Sequence, residues 1–201
     1  MNYISENRFL SLEEMKVNAE IIYDYFILRT WTPNAICAML GNMQTESTIN
    51  PGIWESLTDN PESYLNEHGR YPGYGLVQWT PFTKYTDWCK SQVPILAYGD
   101  IISQLKRIEY EITNGLQWIS TSEYPLSFKE FVVSKETPEY LAQAFLKNYE
   151  RPADQNQPAR STQARYWYNL LYGSTPEPGG TTKKKKQNYK FVLFRRKTRV
   201  F

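Results

Sequence analysis

The sequence predicts an α+β domain, mainly α, in which a helical body carries a small β or irregular insert. Three observations predict it. Helix start signals recur along the chain, apolar residues behind them fall at helical spacing, and turn formers crowd into residues 50–80. The length of 201 residues suits one domain, at most one plus an appendage, and can bury a core without disulfides or a structural metal.

The elements follow in order. Ser11-Leu-Glu-Glu14 has the capping-box pattern and opens a helix with Met15, Ala19, Ile22 and Tyr23 inward. Thr32-Pro33 is an N-cap followed by proline at the first helical position, ahead of an apolar stripe at Ile36, Met39, Leu40 and Met43. Asn50-Pro51-Gly52, Asn60-Pro61, Pro72-Gly73 and Gly75 are turn signals, and Tyr74 to Trp79 suits a short antiparallel piece or a loop. Residues 100–112 and 127–133 are weaker helix candidates. Thr137-Pro138-Glu139 repeats the start signal, with Leu141, Phe145 and Tyr149 on one face, and Gln157-Pro158 opens a last helix carrying Trp167, Leu170 and Leu171. A helical body with an irregular, aromatic-rich insert is a cleft-forming arrangement.

The domain boundary is placed by composition. Ser174 to Thr182 holds two prolines, two glycines, three threonines and no core-forming residue. Residues 1–173 form the compact domain, and 174–201 a linker with a basic tail. That tail carries nine Lys/Arg against the single acid Glu177, while the rest of the chain has 14 basic and 20 acidic groups. The overall balance of +2 therefore gives no sign of a nucleic-acid groove in the body. The tail is a solvated end, or a basic strip that clings to anionic polymers.

Several classes are argued against. No apolar run approaches the ~18 residues that span a bilayer, and the N-terminus lacks a basic-then-apolar leader. With Cys37, Cys89 and one histidine, His68, neither a metalloprotease helix motif nor paired CxxC motifs can be written. The inventory thus calls for no metal, no other cofactor, no nucleic acid and no membrane. His68 sits among polar loop residues, and Cys37 reads as a small buried hydrophobe.

Glu46 is the most informative residue. At 100° per residue it falls within about 20° of Met39 on the helical wheel, so its carboxyl continues the apolar stripe at the helix's C-terminal end. Desolvation and the negative end of the helix dipole would both raise its proton affinity. A carboxylic acid kept protonated near neutral pH can protonate the leaving oxygen in glycoside cleavage. The alternative is a frayed last turn with Glu46 in water. Further on, Tyr74-Gly-Leu-Val-Gln-Trp79 offers a glycine for close backbone approach, the two-sided amide of Gln78 for sugar hydroxyls or N-acetyl groups, and the Tyr74 and Trp79 rings for a sugar's apolar face. In Asn148-Tyr-Glu-Arg-Pro152, Glu150 and Arg151 can be read as a pair that fixes a helix end.

These residues carry a resemblance. Glu46-Ser47 ending a helix, Gly75-Leu76-Val77-Gln78, and the helix from Ala142 to Tyr149 resemble the lysozyme-like superfamily of goose-type lysozymes and lytic transglycosylases. The closer resemblance is to the tail-tip lysozyme domain of short-tailed phages of Gram-positive bacteria. It is carried by Met15–Ala19, Ala35–Gly52, Gly75–Pro81, Tyr149–Ala153 and Asn156–Pro158, spread over roughly residues 10–170.

The resemblance implies a mostly α, lysozyme-like fold that cuts the β-1,4 link between N-acetylmuramic acid and N-acetylglucosamine in peptidoglycan. It implies a virion protein at the tail tip, acting on the host wall during genome entry, with other tail proteins as further partners. It puts the general acid at Glu46 and places Gln78 in the cleft, with Ser47, Tyr74, Gly75 and Trp79 as further substrate-contact candidates. Glu55, Asp59 and Glu62 are candidates for a second carboxylate. Without one, Glu46 alone suits a lytic transglycosylase, and a glycan-binding tail-tip protein without turnover is the alternative from another class. The phage relatives continue into a zinc peptidase where this chain has its Lys-rich tail, so the chain is a single-activity enzyme or part of a longer tail protein.

Overall fold

The computed structural model describes residues 2–173; the linker and basic tail predicted for 174–201 lie outside the described residues. In chain order the helices are α1 (Leu12–Ile27), α2 (Pro33–Ser47), α3 (Pro61–His68), α4 (Thr83–Lys90), α5 (Ile101–Asn114), α6 (Phe128–Val133), α7 (Pro138–Phe145) and α8 (Ala159–Leu171). Short helical turns at Glu55–Leu57 and Leu146–Glu150 complete the set, the second of them π-helical. The fold is mainly α, as the sequence predicts. No helix among the described residues is long and apolar enough to cross a membrane.

The helix starts obey their cap chemistry. Ser11 accepts from the Glu14 N–H while the Glu14 side chain accepts from the Ser11 N–H. Two donors that a helix start leaves open are thereby satisfied. Ser127 and Glu130 repeat that exchange at α6, and Thr32 and Thr137 cap α2 and α7 ahead of a proline.

α2 is the axis of the domain. Every residue from Ala35 to Met43 is buried, so this helix is enclosed on all sides rather than amphipathic. It packs against α1, α6, α7 and α8. Gly41 permits the closest of these approaches. A Cβ there would lie 2.6 Å from the Arg160 carbonyl oxygen and 2.7 Å from the Ala164 nitrogen of α8. Buried Asn42 donates to the Ala38 and Ala142 carbonyls at 3.0 Å each, tying α2 to α7. These contacts fix the end of α2, and with it Glu46.

The insert differs in detail from the expectation. Its β content is two isolated antiparallel bridges, Trp54 with Tyr74 and Tyr74 with Trp79, in place of a small sheet. It also carries α3, which begins where Asn60-Pro61 suggested only a turn. The Asn60 side chain accepts from the Glu62 and Ser63 N–H groups, each at 3.1 Å, and Pro61 starts the helix. Aromatic packing steadies the insert: Trp54 meets Tyr74 at 4.5 Å and Phe82 at 5.1 Å between ring centroids.

Candidate active site

The C-terminal end of α2 opens into a cleft of about 470 Å³. Glu46 stands on one side, with Ile53 to Ser56 of the insert and the Val77–Thr80 loop around it; the Tyr149–Pro152 turn, Gln117, Lys84 and Phe9 complete the lining. The Phe9 ring is 64% exposed at this rim, so an apolar face is available to a ligand there.

Glu46 forms an ion pair with the Arg160 guanidinium. The Arg160 side chain is 2% exposed and that of Glu46 21%. Arg160 is held in turn by the Asn42 Oδ1 at 3.0 Å and the Gln157 Oε1 at 2.7 Å. The expected apolar setting for Glu46 is therefore corrected: its carboxylate faces a fixed cation that comes from α8.

The desolvated carboxyl is instead that of Glu150. This residue ends the π-helical turn, and Arg151 after it adopts a left-handed conformation, φ 51°. The Glu150 Oε1 is sealed from solvent and has no hydrogen-bond partner. Burial, reinforced by the nearby Glu46 charge, holds its carboxyl well above the ordinary carboxylate range, against the opposing pull of Arg160 and Arg151. Arg151 does not fix the helix end through Glu150. Its guanidinium donates to the backbone carbonyls of Gln117 and Asn148 instead.

A third glutamate lies beneath the cleft. The buried Glu111 carboxylate accepts from the Trp79 Nε1–H and the Arg107 Nε–H at 2.9 Å each, and from the Tyr149 hydroxyl at 2.6 Å. It thereby ties the Val77–Thr80 wall to the turn that carries Glu150.

Of the predicted contact residues, the cleft brings together Glu46, Gln78 and Trp79. The Gln78 amide nitrogen donates to the Gly75 carbonyl at 2.9 Å and the Ile53 carbonyl at 3.2 Å, bridging two walls. Trp79 is 3% exposed and stacks on Tyr85 at 4.6 Å, so most of its ring belongs to the core. Ser47, Tyr74 and Gly75 stand behind the lining. The Ser47 hydroxyl donates to the Leu76 carbonyl at 2.8 Å, pinning the loop to α2. Gly75 is in the left-handed region at φ 80°, and a Cβ there would lie 2.6 Å from the Gln104 Oε1; its close approach is to a neighbouring side chain. Tyr74 is buried between Trp54 and Tyr85.

Among the three proposed second carboxylates, Glu55 alone lines this cleft. Asp59 faces a separate shallow groove beside α3, together with His68, and Glu62 accepts from the Tyr71 hydroxyl. Glu55 is gripped by both terminal nitrogens of Arg70, at 2.6 and 2.8 Å, and by the Gly73 N–H at 2.8 Å. The Arg70 bonds pull its carboxyl down to about 2. A carboxyl lowered in the folded state contributes stability above its unfolded value, and that contribution is lost as pH falls through the folded one. Glu55→Gln is therefore expected to cost about 1 kcal/mol at pH 7, allowing for solvent around Arg70. Thermal melts should show the deficit closing as pH falls from about 4.5 towards 2. An equal deficit at both ends of that range would mean that the pair contributes nothing electrostatic.

A helical body whose enclosed central helix ends in a cleft glutamate, under an irregular insert, has the architecture of a lysozyme-like domain. The chain belongs to the phage tail lysozyme family, whose sequence profile matches residues 17–171. It is also similar to morphogenesis protein 1 of Bacillus phage B103, with 50% identity over 171 residues. That stretch is 85% of this chain and 44% of the phage B103 protein, so the chain spans less than half the length of this relative.

Proposed function

We propose that the domain cleaves the glycan strands of peptidoglycan at the β-1,4 bond between N-acetylmuramic acid and N-acetylglucosamine, with Glu46 as a catalytic carboxyl. The observation that carries this reading is the cleft itself, where Glu46 shares the lining with Glu55 and Glu150 under an aromatic rim in a lysozyme-family chain. Most glycoside hydrolases use a pair of carboxyls flanking the bond. The Gln78 amide oxygen, whose nitrogen is committed to Gly75 and Ile53, would accept from glycan hydroxyls, and the exposed Phe9 and partly exposed Trp54 rings would stack on sugar faces. Family membership and the phage relative support a virion-associated enzyme that opens a Gram-positive wall locally during genome entry.

The test is a mass spectrum of the soluble products released from purified Gram-positive peptidoglycan. Disaccharide peptides with free reducing ends are expected. Their 1,6-anhydro counterparts would make the domain a lytic transglycosylase, in which the sugar's own 6-hydroxyl replaces water. No released glycan would turn the reading towards a glycan-binding tail protein without turnover.

A further inference from the structure

The cleft holds two carboxyls in opposite circumstances. Glu46, at the end of α2, is paired with the buried Arg160 of α8. Glu150, at the end of the π-helical turn, has one oxygen sealed from water with no donor aimed at it. Both line the same space. An ionised carboxylate would leave that buried oxygen's charge uncompensated, whereas a protonated carboxyl tolerates the site.

We propose that Glu150 is the second catalytic carboxyl of the cleft, and that Glu46 and Glu150 hold one proton between them. The proposal rests on the glycan-cleaving reading above. The surroundings support it from each side. The Glu46 charge reaches Glu150 from α2 and the Glu111 charge from α5, both opposing its ionisation; Arg160 of α8 and the adjacent Arg151 oppose them. Neither cation is spent on Glu150. Arg160 bonds Glu46, Asn42 and Gln157, and Arg151 bonds two backbone carbonyls. The neighbouring Tyr149 hydroxyl donates to Glu111. The buried, donorless oxygen thus favours the proton on Glu150, while Glu46 keeps its ion pair with Arg160.

One protonated and one ionised carboxyl are what hydrolysis of a glycoside consumes and restores. As the bond from the anomeric carbon to the glycosidic oxygen breaks, one carboxyl gives its proton to the leaving oxygen. The other takes a proton from the water whose oxygen bonds to that carbon. The pair ends with one proton, as it began.

Glu150→Gln and Glu46→Gln separate the possibilities. Glu150→Gln is expected to fold and to lose about 100-fold in the rate of glycan release, the scale of a lost acid–base group. The alkaline limb of the remaining pH–rate profile should move relative to the wild type. A rate within threefold of the wild type would overturn the proposal. So would a reduced rate with the wild-type profile, since that is the signature of a merely structural side chain. A carbon-13 NMR titration of the glutamate carboxyls reads the pair without relying on turnover or on the Glu150 variant folding. Glu150 should titrate above the ordinary range in the wild type, and lower once Glu46→Gln removes its charged neighbour. An ordinary Glu150 titration, or one indifferent to Glu46, would overturn the shared proton. A wild type that releases no glycan while its carboxyls titrate as a pair would instead refute the glycan-cleaving reading.

Discussion

Glu46→Gln is expected to lower glycan release by about 1,000-fold or more while leaving the fold in place, since a carboxyl in direct contact with the reacting bond contributes on the order of 10²–10⁴ to the rate. The amide keeps the shape of the side chain, and its oxygen can still accept from Arg160. What it loses is the negative charge and the capacity to exchange a proton. The charge matters for stability too, because Arg160 is 2% exposed and Glu46 is its carboxylate partner. A buried cation without its counter-charge destabilises a protein. Here the loss is moderated: with Glu46 neutral, ionisation of the nearby Glu150 meets one like charge fewer, that of Glu111 remaining. A drop of a few degrees in melting temperature is therefore expected beside a near-total loss of activity. The two readouts are separable by measuring reducing ends released from wall material well below the melting range. Retention of a tenth of the wild-type rate at that temperature would remove Glu46 from the chemistry.

The sequence made Glu46 visible and misjudged its surroundings, for a physical reason. Helical phase is local, so Met39 and Glu46 could be placed on one face from spacing alone. The partner that decides the carboxylate's environment, Arg160, lies 114 residues away in the chain, and no local signal announces it. Glu150 shows the converse. Its segment stood out in the sequence, but a neighbouring arginine suggested a simple pair. The π-helical turn over Leu146–Glu150 inserts an extra residue into the helical register and takes Glu150 off the phase that Leu141, Phe145 and Tyr149 predict. The helix starts at Ser11, Thr32 and Thr137 were legible because capping is chemistry between residues three apart. Asn60-Pro61 obeys the same grammar as Thr32-Pro33, and α3 could have been found by applying it evenly. Ser47, Tyr74 and Gly75 have side chains or backbone freedom suited to a ligand. The protein's own contacts with Leu76, Trp54 and Gln104 claim them, and those contacts exist only after folding.

Glu111→Ala is expected to be the most destabilising single change among the residues that shape the cleft, at about 3–5 kcal/mol. The reason lies in what would be left behind. Three donors converge on this carboxylate: the Trp79 indole, the Arg107 guanidinium and the Tyr149 hydroxyl. Glu111 and Tyr149 are each 1% exposed, Trp79 3% and Arg107 9%, so water cannot readily replace the missing oxygens. A buried cation and two buried neutral donors would lose their acceptor together, and each unpaired group carries its own desolvation cost. For a domain of this size the loss corresponds to a fall of roughly 10 °C in melting temperature. Glu111→Gln should cost less, because its oxygen still accepts while the charge opposite Arg107 is gone. The effect should extend to function at temperatures where the variant remains folded. Trp79 belongs to the loop that carries Gln78, and Tyr149 precedes Glu150, so Glu111 holds two walls of the cleft in register. Activity should therefore fall further in Glu111→Ala than its folded fraction does. If activity only tracked the folded fraction in thermal melts and glycan-release assays run side by side, the network would stabilise the domain without positioning its carboxyls.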